Sequence, residues 1–334
     1  MDVYIFGAGA SAAEGAPATF DFFARAWQLL APQFDDRIQA VWRFLDEVFH
    51  VRITGPDAFA YTPAVDEVIS LVDWSLHVNQ GLGYRYDPPR LYQVRRDLEH
   101  LLCATLDAAL EARTRRATGP HARFVRGIGQ RRPVSEPVLI SLNYDTLLDD
   151  ALTDAGASPN YGFRDLDLTR REGPLLAKLH GSLNWALCPA CGHVAVADEK
   201  IAHLLPHVEG LSCNRCGCER LGGMIISPTW LKSYEGAHLQ HVWDLALEAI
   251  QQADRIVFVG YSMPPADVAI YHLIRRGLLA SRKGTWPSVE VINHHSAASS
   301  PSERIQHEQQ VISHFTRLFG RGVRFDFSGF SGQV

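Results

Sequence analysis

Val3-Tyr4-Ile5-Phe6 runs directly into Gly7-Ala8-Gly9-Ala10-Ser11. A short apolar β-type run that ends in glycines and a helix start reads as the first strand-turn-helix unit of an open α/β sheet, which gathers ligand groups at the carboxyl ends of its strands. Gly7 permits the tight turn, Gly9 lets backbone N–H groups approach a pyrophosphate, and Ala12 fills the third small position of the G-x-G-x-x-G/A pattern. Gly7, Ala8, Gly9 and Ser11 are therefore candidate dinucleotide contacts. The acidic residue that ordinarily ends a second strand about twenty residues on has no clear counterpart. Asp21 has nearly that spacing but stands at the start of a helical run.

Outward from this turn, apolar residues repeat at helical spacing from about Thr19 to Arg132: Phe22, Phe23, Trp27 and Leu30, then Val41, Phe44, Leu45 and Val48, then Val65, Val68, Ile69 and Val72, then Leu98, Leu101, Leu102 and Leu106. This stretch reads as a large helical insertion, with Cys103 a small core residue on one of its helices. After it, Pro137 to Leu142 reads as a strand, Thr146 to Ala155 as a helix and Leu175 to Leu179 as a second strand. Alternation resumes with strand Met224 to Ser227, helix Leu239 to Gln251, strand Arg255 to Val259, helix Ala266 to Leu279, strand Val289 to Asn293, helix Glu303 to Phe319 and strand Val323 to Phe327. Strands alternating with helices predict a Rossmann-like, doubly wound parallel sheet. No internal repeat is present.

Between the two alternating regions, about Ala186 to Gly223 is rich in Cys and Gly and poor in periodic hydrophobics. Cys188/Cys191 and Cys213/Cys216 form two CxxC pairs about twenty residues apart, the spacing of a structural Zn²⁺ ribbon closed by four thiolates. Cys218 and His193 could compete for a position, but the symmetric set is the expected one. The predicted organisation is thus a Rossmann-like domain (1–18, 133–185 and 223–330), a helical insertion (19–132) and a zinc-ribbon module (186–222). Disorder is expected only in the tail after about Phe327.

Composition narrows the function classes. A chain of 334 residues that is 46% hydrophobic buries a substantial core, and a net charge of −5 with pI near 6.3 offers no basic footprint for nucleic acid. Arg113, Arg115, Arg116, Arg123, Arg126, Arg131 and Arg132 make a local basic run that reads first as a solvated helix end and loop. Neither a signal-type segment nor a membrane-length apolar run follows Met1, so a cytoplasmic location is expected, where CxxC pairs favour metal over disulfide.

Two further stretches follow strand-like runs: Ser141-Leu142-Asn143-Tyr144-Asp145 and Lys178-Leu179-His180-Gly181-Ser182. By residue chemistry alone, Asn143-x-Asp145 could cap the helix that begins at Thr146 as well as hold a ligand. An imidazole titrates near neutrality and can serve as a general base, which makes His180 a candidate for that role, and Trp185 nearby reads as packing. Gly260-Tyr261-Ser262 invites a nucleophilic-serine reading, but Pro264 after Met263 breaks the G-x-S-x-G elbow.

Taken in order with the glycine turn, Gly15-Ala16-Pro17-Ala18-Thr19-Phe20, the cysteine pairs, Val259-Gly260-Tyr261-Ser262-Met263-Pro264-Pro265 and Val291-Ile292-Asn293, these motifs resemble those of the sirtuin (silent-information-regulator) family. The resemblance implies that NAD is bound, with Pro17 and Phe20 in a cofactor loop and Gly260, Tyr261, Ser262 and Asn293 on the phosphate and adenosine side. It also implies that Asn143 holds the ribose or a water near the anomeric carbon, that Asp145 orients the nicotinamide carboxamide, and that His180 is the catalytic base. Leu142 replaces the Gln of the family's T-Q-N-x-D signature, and Asp21 stands where true deacylases typically carry an Arg after the Phe. With the enlarged helical region, this looks like the bacterial antiviral-defence branch, whose members hydrolyse NAD, assemble into oligomers and commonly work with an ATPase or an Argonaute-type partner. The expected activity is an NAD+ glycohydrolase giving nicotinamide and ADP-ribose. The alternatives are an NAD-dependent deacylase or ADP-ribosyltransferase, and a non-catalytic nucleotide-sensing module.

Overall fold

The computed structural model describes residues 1–31, 35–51, 62–111, 118–130, 136–163, 173–197, 212–219, 221–232, 236–265, 267–281, 283–294 and 300–333. Its elements begin with β1 (Asp2–Phe6), α1 (Ala8–Ala12), α2 (Phe22–Leu30), α3 (Asp36–Phe49), α4 (Val65–His77), α5 (Pro88–Glu111) and α6 (Pro120–Gln130). There follow β2 (Val138–Ser141), α7 (Leu147–Asp154), β3 (Leu176–Lys178), β4 (Gly181–Leu187), β5 (Val194–Val196) and β6 (Gly222–Ile225). The chain ends with α8 (Ala237–Gln252), β7 (Arg255–Val259), α9 (Val268–Ala280), β8 (Ser288–Ile292), α10 (Pro301–Phe319) and β9 (Val323–Asp326). Arg113, Arg115, Arg116, Arg131, Arg132 and Ala266, and the middle of the cysteine-rich segment, lie outside the described residues.

Two compact units emerge. The first comprises Met1–Glu14, Thr114–Ser182 and Glu235–Val334. Its six-stranded sheet has the order β3-β2-β1-β7-β8-β9, with every neighbouring pair parallel. Counted in chain order within the sheet this is 3-2-1-4-5-6, the doubly wound arrangement expected from the alternating pattern. The strands are near-continuous apolar runs because helices cover both faces of such a sheet. Val3, Tyr4, Ile5 and Phe6 are all at most 1% exposed, and Phe258 of β7 packs edge-on to Phe315 of α10 at 4.8 Å. The α10 helix starts two residues before Glu303, where the sequence reading began it, because Ser300 and Glu303 form a reciprocal cap around Pro301. Strand order reverses between β1 and β7, and the loops that follow these two strands are neighbours.

The second unit comprises Gly15–Arg113 and Leu183–Tyr234, so it contains both the helical stretch and the cysteine-rich stretch. Helices α3, α4 and α5 bury the periodic residues read from the sequence, among them Val41, Phe44, Leu45, Val68, Ile69, Val72, Leu98 and Leu101. Cys103 is buried with them, and that burial pushes its thiol well above the ordinary range. Asp21 stands at the N-cap position of α2, but its carboxylate makes no cap bond and instead accepts the Ala18 N–H at 2.8 Å. Ser227 Oγ donates to Glu99 at 2.9 Å and Trp230 N–H to Ser70 Oγ at 2.9 Å, which ties the segment after the cysteines to α5 and α4.

Two expectations are corrected. Met224 to Ser227 is not a strand of the parallel sheet: its β-structure, β6, belongs to a separate three-stranded sheet of order β5-β4-β6, in which β4 and β5 are antiparallel. Residues 328–333 are docked rather than disordered, because Phe330 is 7% exposed and packs on His121 at 5.1 Å and Phe6 at 5.9 Å. Arg123 of the basic run is exposed on α6, as a solvated helix end requires, and donates to the carbonyl oxygens of Thr118 and Ser331.

Candidate functional site

The glycine turn and the loop after β7 interlock. Gly7 N–H donates to Val259 O at 2.9 Å, Gly9 N–H to Gly260 O at 2.8 Å and Gly260 N–H to Ile292 O at 2.8 Å. A Cβ on Gly7 would sit 2.8 Å from Gly260 O, and one on Gly9 2.9 Å from Gly260 Cα. Gly260 has φ +63°, and a side chain there would collide with the Ala10 amide nitrogen. Glycine is thus required because two backbones cross in contact at the switch point. The Gly9 amide expected to face a pyrophosphate is instead engaged by Gly260.

The polar residues collect beside this crossing. Asn143 Nδ2 donates to Gly7 O at 2.9 Å and to Ser11 Oγ at 2.8 Å, and Ser11 Oγ donates to Asp145 Oδ2 at 2.6 Å. Asp145 Oδ1 accepts the Leu147 N–H at 3.0 Å, so its carboxylate also caps α7. Of the two readings left open by the sequence, the capping one is met by Asp145, and Asn143, Ser11 and Asp145 are all buried. His180, in the turn between β3 and β4, meets Leu142 O through Nδ1 at 2.9 Å. A carbonyl only accepts, so Nδ1 carries the proton and, in the neutral ring, Nε2 carries the basic lone pair. The ring lies 6.4 Å from that of Tyr144.

On the other side of the switch point, Tyr261 is buried and its hydroxyl donates to Asp267 at 3.2 Å. His314 Nδ1 donates to Ser262 O at 3.1 Å, and the following Met263 takes φ +52° ahead of Pro264. Asn293 Nδ2 donates to Tyr261 O at 3.4 Å, while its Oδ1 accepts the His294 N–H at 2.8 Å. The first unit therefore assembles Gly7, Ala8, Gly9, Ser11, Asn143, Asp145, His180, Gly260, Tyr261, Ser262 and Asn293 at the carboxyl ends of its strands. Pro17 and Phe20 belong to the second unit, where Phe20 is 69% exposed.

Sequence reasoning missed Lys178, Asp149 and Tyr161. Lys178 is fully buried at the end of β3, and its Nζ donates to Asp145 O at 2.5 Å and to Asp149 Oδ2 at 3.0 Å. Tyr161 OH donates to the other Asp149 oxygen. The available signal was a lone lysine inside an apolar strand, one residue before Leu179-His180.

In the second unit, the thiols of Cys188, Cys191, Cys213 and Cys216 lie within 4.8 Å of one another. Cys188 and Cys216 are 3.6 Å apart, and Cys191 and Cys213 3.7 Å. Metal–thiolate bonds of about 2.3 Å in a tetrahedron give sulfur–sulfur edges of about 3.8 Å. The two halves are built alike. Cys188 N–H donates to His193 O and Gly192 N–H back to Cys188 O, while Cys213 N–H donates to Cys218 O and Gly217 N–H back to Cys213 O. Gly192 and Gly217 take the left-handed φ of +69° and +73° that turns each loop back. His193 and Cys218 contribute carbonyls to these loops and are not in the thiol cluster. Four thiolates in this geometry fit a closed tetrahedral metal site.

The fold and site define an α/β protein of Rossmann-like topology with its polar cluster at the switch point. The SIR2-like domain family model matches residues 137–311, more than half of the chain, and the protein belongs to that family. Similar solved structures include a Sir2 homologue in complex with NAD, at 16% identity and TM-score 0.45, covering 99% of this chain and 84% of that one. A Sir2–p53 peptide–NAD+ complex aligns at 11% identity and TM-score 0.43, covering 99% of this chain and 89% of that one. No curated protein matches the chain.

Proposed function

We propose that this protein is an NAD+ glycohydrolase that cleaves the nicotinamide–ribose bond to give nicotinamide and ADP-ribose. The observation that carries the reading is the joining of Asn143, Ser11 and Asp145 into one buried hydrogen-bonded cluster beside the Gly7–Gly260 crossing, with His180 held on the neighbouring Leu142 carbonyl. Gly7, Ala8, Gly9, Gly260, Tyr261, Ser262 and Asn293 line the cofactor side, and the family resemblance makes Pro17 and Phe20 cofactor-loop residues. Asn143 holds the ribose or the attacking water, Asp145 orients the carboxamide, and His180 Nε2 takes the proton from water as it adds to the anomeric carbon. Departure of nicotinamide leaves an oxocarbenium-like ribose, so the site has to favour developing positive charge. Nicotinamide leaves neutral, so no second carboxylate is required as acid.

Asp21 in place of an Arg after Phe20 favours hydrolysis over deacylation. Unrestrained cleavage would deplete the host of NAD, so we assign activity to an assembled state, a homo-oligomer or a complex with an ATPase or Argonaute-type partner, in antiphage defence. The four cysteines hold a structural Zn²⁺ that takes no part in the chemistry. The test is to follow nicotinamide and ADP-ribose from NAD alone and from NAD with an acyl-lysine peptide. Equal release in both supports glycohydrolysis; release that depends on the peptide makes the protein a deacylase.

A further inference from the structure

Every backbone carbonyl from Ser141 to Asp145 is held. Ser141 O accepts the Leu179 N–H at 2.9 Å, Leu142 O accepts His180 Nδ1 at 2.9 Å and Asn143 O accepts Ser141 Oγ at 3.3 Å. Tyr144 O accepts Ser182 Oγ at 3.3 Å and Asp145 O accepts Lys178 Nζ at 2.5 Å. Four of the five restraints come from the segment Lys178–Ser182, which explains physically why the two motifs occur as a pair. Among them only the Lys178 bond is charge-assisted, and a bond from an ammonium is roughly twice as strong as a neutral one. It acts on the residue whose side chain orders both Ser11 and the start of α7.

A fully buried ammonium carries a heavy desolvation cost unless it is paired and hydrogen-bonded. Asp149, 4% exposed, supplies the countercharge, and the Tyr161 hydroxyl fixes that carboxylate from its far side. A purely packing role at this position would be filled by an apolar side chain like those of Leu176 and Ala177, which precede it on the strand and are also fully buried. We infer that Lys178, seated by Asp149 and Tyr161, is a positioning residue: it sets the Asn143–Asp145 loop by holding the Asp145 carbonyl, and so determines turnover at the proposed site. The inference rests on the glycohydrolase reading for its catalytic consequence only.

Lys178→Met alone strands a buried carboxylate and is expected to destabilise the fold, so the informative variant is Lys178→Met/Asp149→Asn. It removes both charges together, and the side-chain carbonyl retained by the Asp149→Asn change still accepts from Tyr161. In the full-length protein, hydrogen exchange at the Asn143 and Leu147 amides is expected to accelerate, while the melting temperature stays within a few degrees of wild type. Where wild type releases nicotinamide, kcat is expected to fall about a hundredfold, the scale of an ångström-level misplacement, with KM for NAD little changed. Unchanged exchange and full turnover in a folded double variant would overturn the inference. Absence of nicotinamide release by the assembled wild type would count against the glycohydrolase reading and leave the exchange result to decide the role of Lys178.

Discussion

A histidine that gives its Nδ1 proton to a carbonyl is fixed in one tautomer, and His180 is held this way by Leu142 O. The glycines nearby are equally constrained. Gly260→Ala places a methyl group against the Ala10 amide at a positive φ, so a loss of about 1–3 kcal/mol is expected, read as a lowered urea midpoint. An unchanged midpoint would show that the crossing of the two loops is looser than described. Gly7 and Gly9 were legible in the sequence, but their reason was not: a G-x-G turn points to a ligand, and the partner backbone that crosses it lies some 250 residues away. Lys178 was illegible for a related reason. Periodicity marks which positions are buried, and it cannot show that a lone charge among them has found a carboxylate and a carbonyl.

At the scale of elements, caps and short loops carry the specificity. Asp35 caps α3 by accepting the Ile38 N–H at 2.8 Å and meets His100 Nε2 at 2.7 Å. Partial burial pushes its carboxyl up, but these hydrogen bonds and the His100 charge outweigh that and hold it below its ordinary value. A depressed folded-state pKa stabilises the protein above the unfolded value near ~3.9, and the benefit is lost as pH falls through the lower folded value. Asp35→Ala should therefore cost about 1 kcal/mol at neutral pH, and the gap between variant and wild-type melting should close under acid conditions. A constant gap across that range would contradict the assignment. The cysteine knuckles make a second prediction: chelation of the metal should lower the melting temperature, and identical melting after complete metal removal would rule out a structural zinc. The CxxC pairs were plain from spacing. The strands β4 and β5 were not, because β4 is a buried run starting three residues after β3 and β5 has only three residues, too short for period-two alternation to register.

At the scale of the whole chain, the doubly wound sheet was legible because six β-type runs alternate with helices, and that alternation admits few parallel topologies. The end of the chain was misread as disordered because the stretch after Phe327 is short and glycine-rich, while Phe330 owes its burial to Phe6, His121 and Phe124 far back in sequence. Phe330→Ala is expected to destabilise the first unit by about 3 kcal/mol, measured by denaturant unfolding, and a cost near zero would mean the tail is not docked. The central claim concerns chemistry at the switch point. It is tested most directly by incubating concentrated full-length protein with NAD alone and following nicotinamide release, with NAD binding measured in parallel for wild type and His180→Ala. The account predicts release by wild type that is lost in the variant while NAD still binds; equal release by both proteins would contradict it.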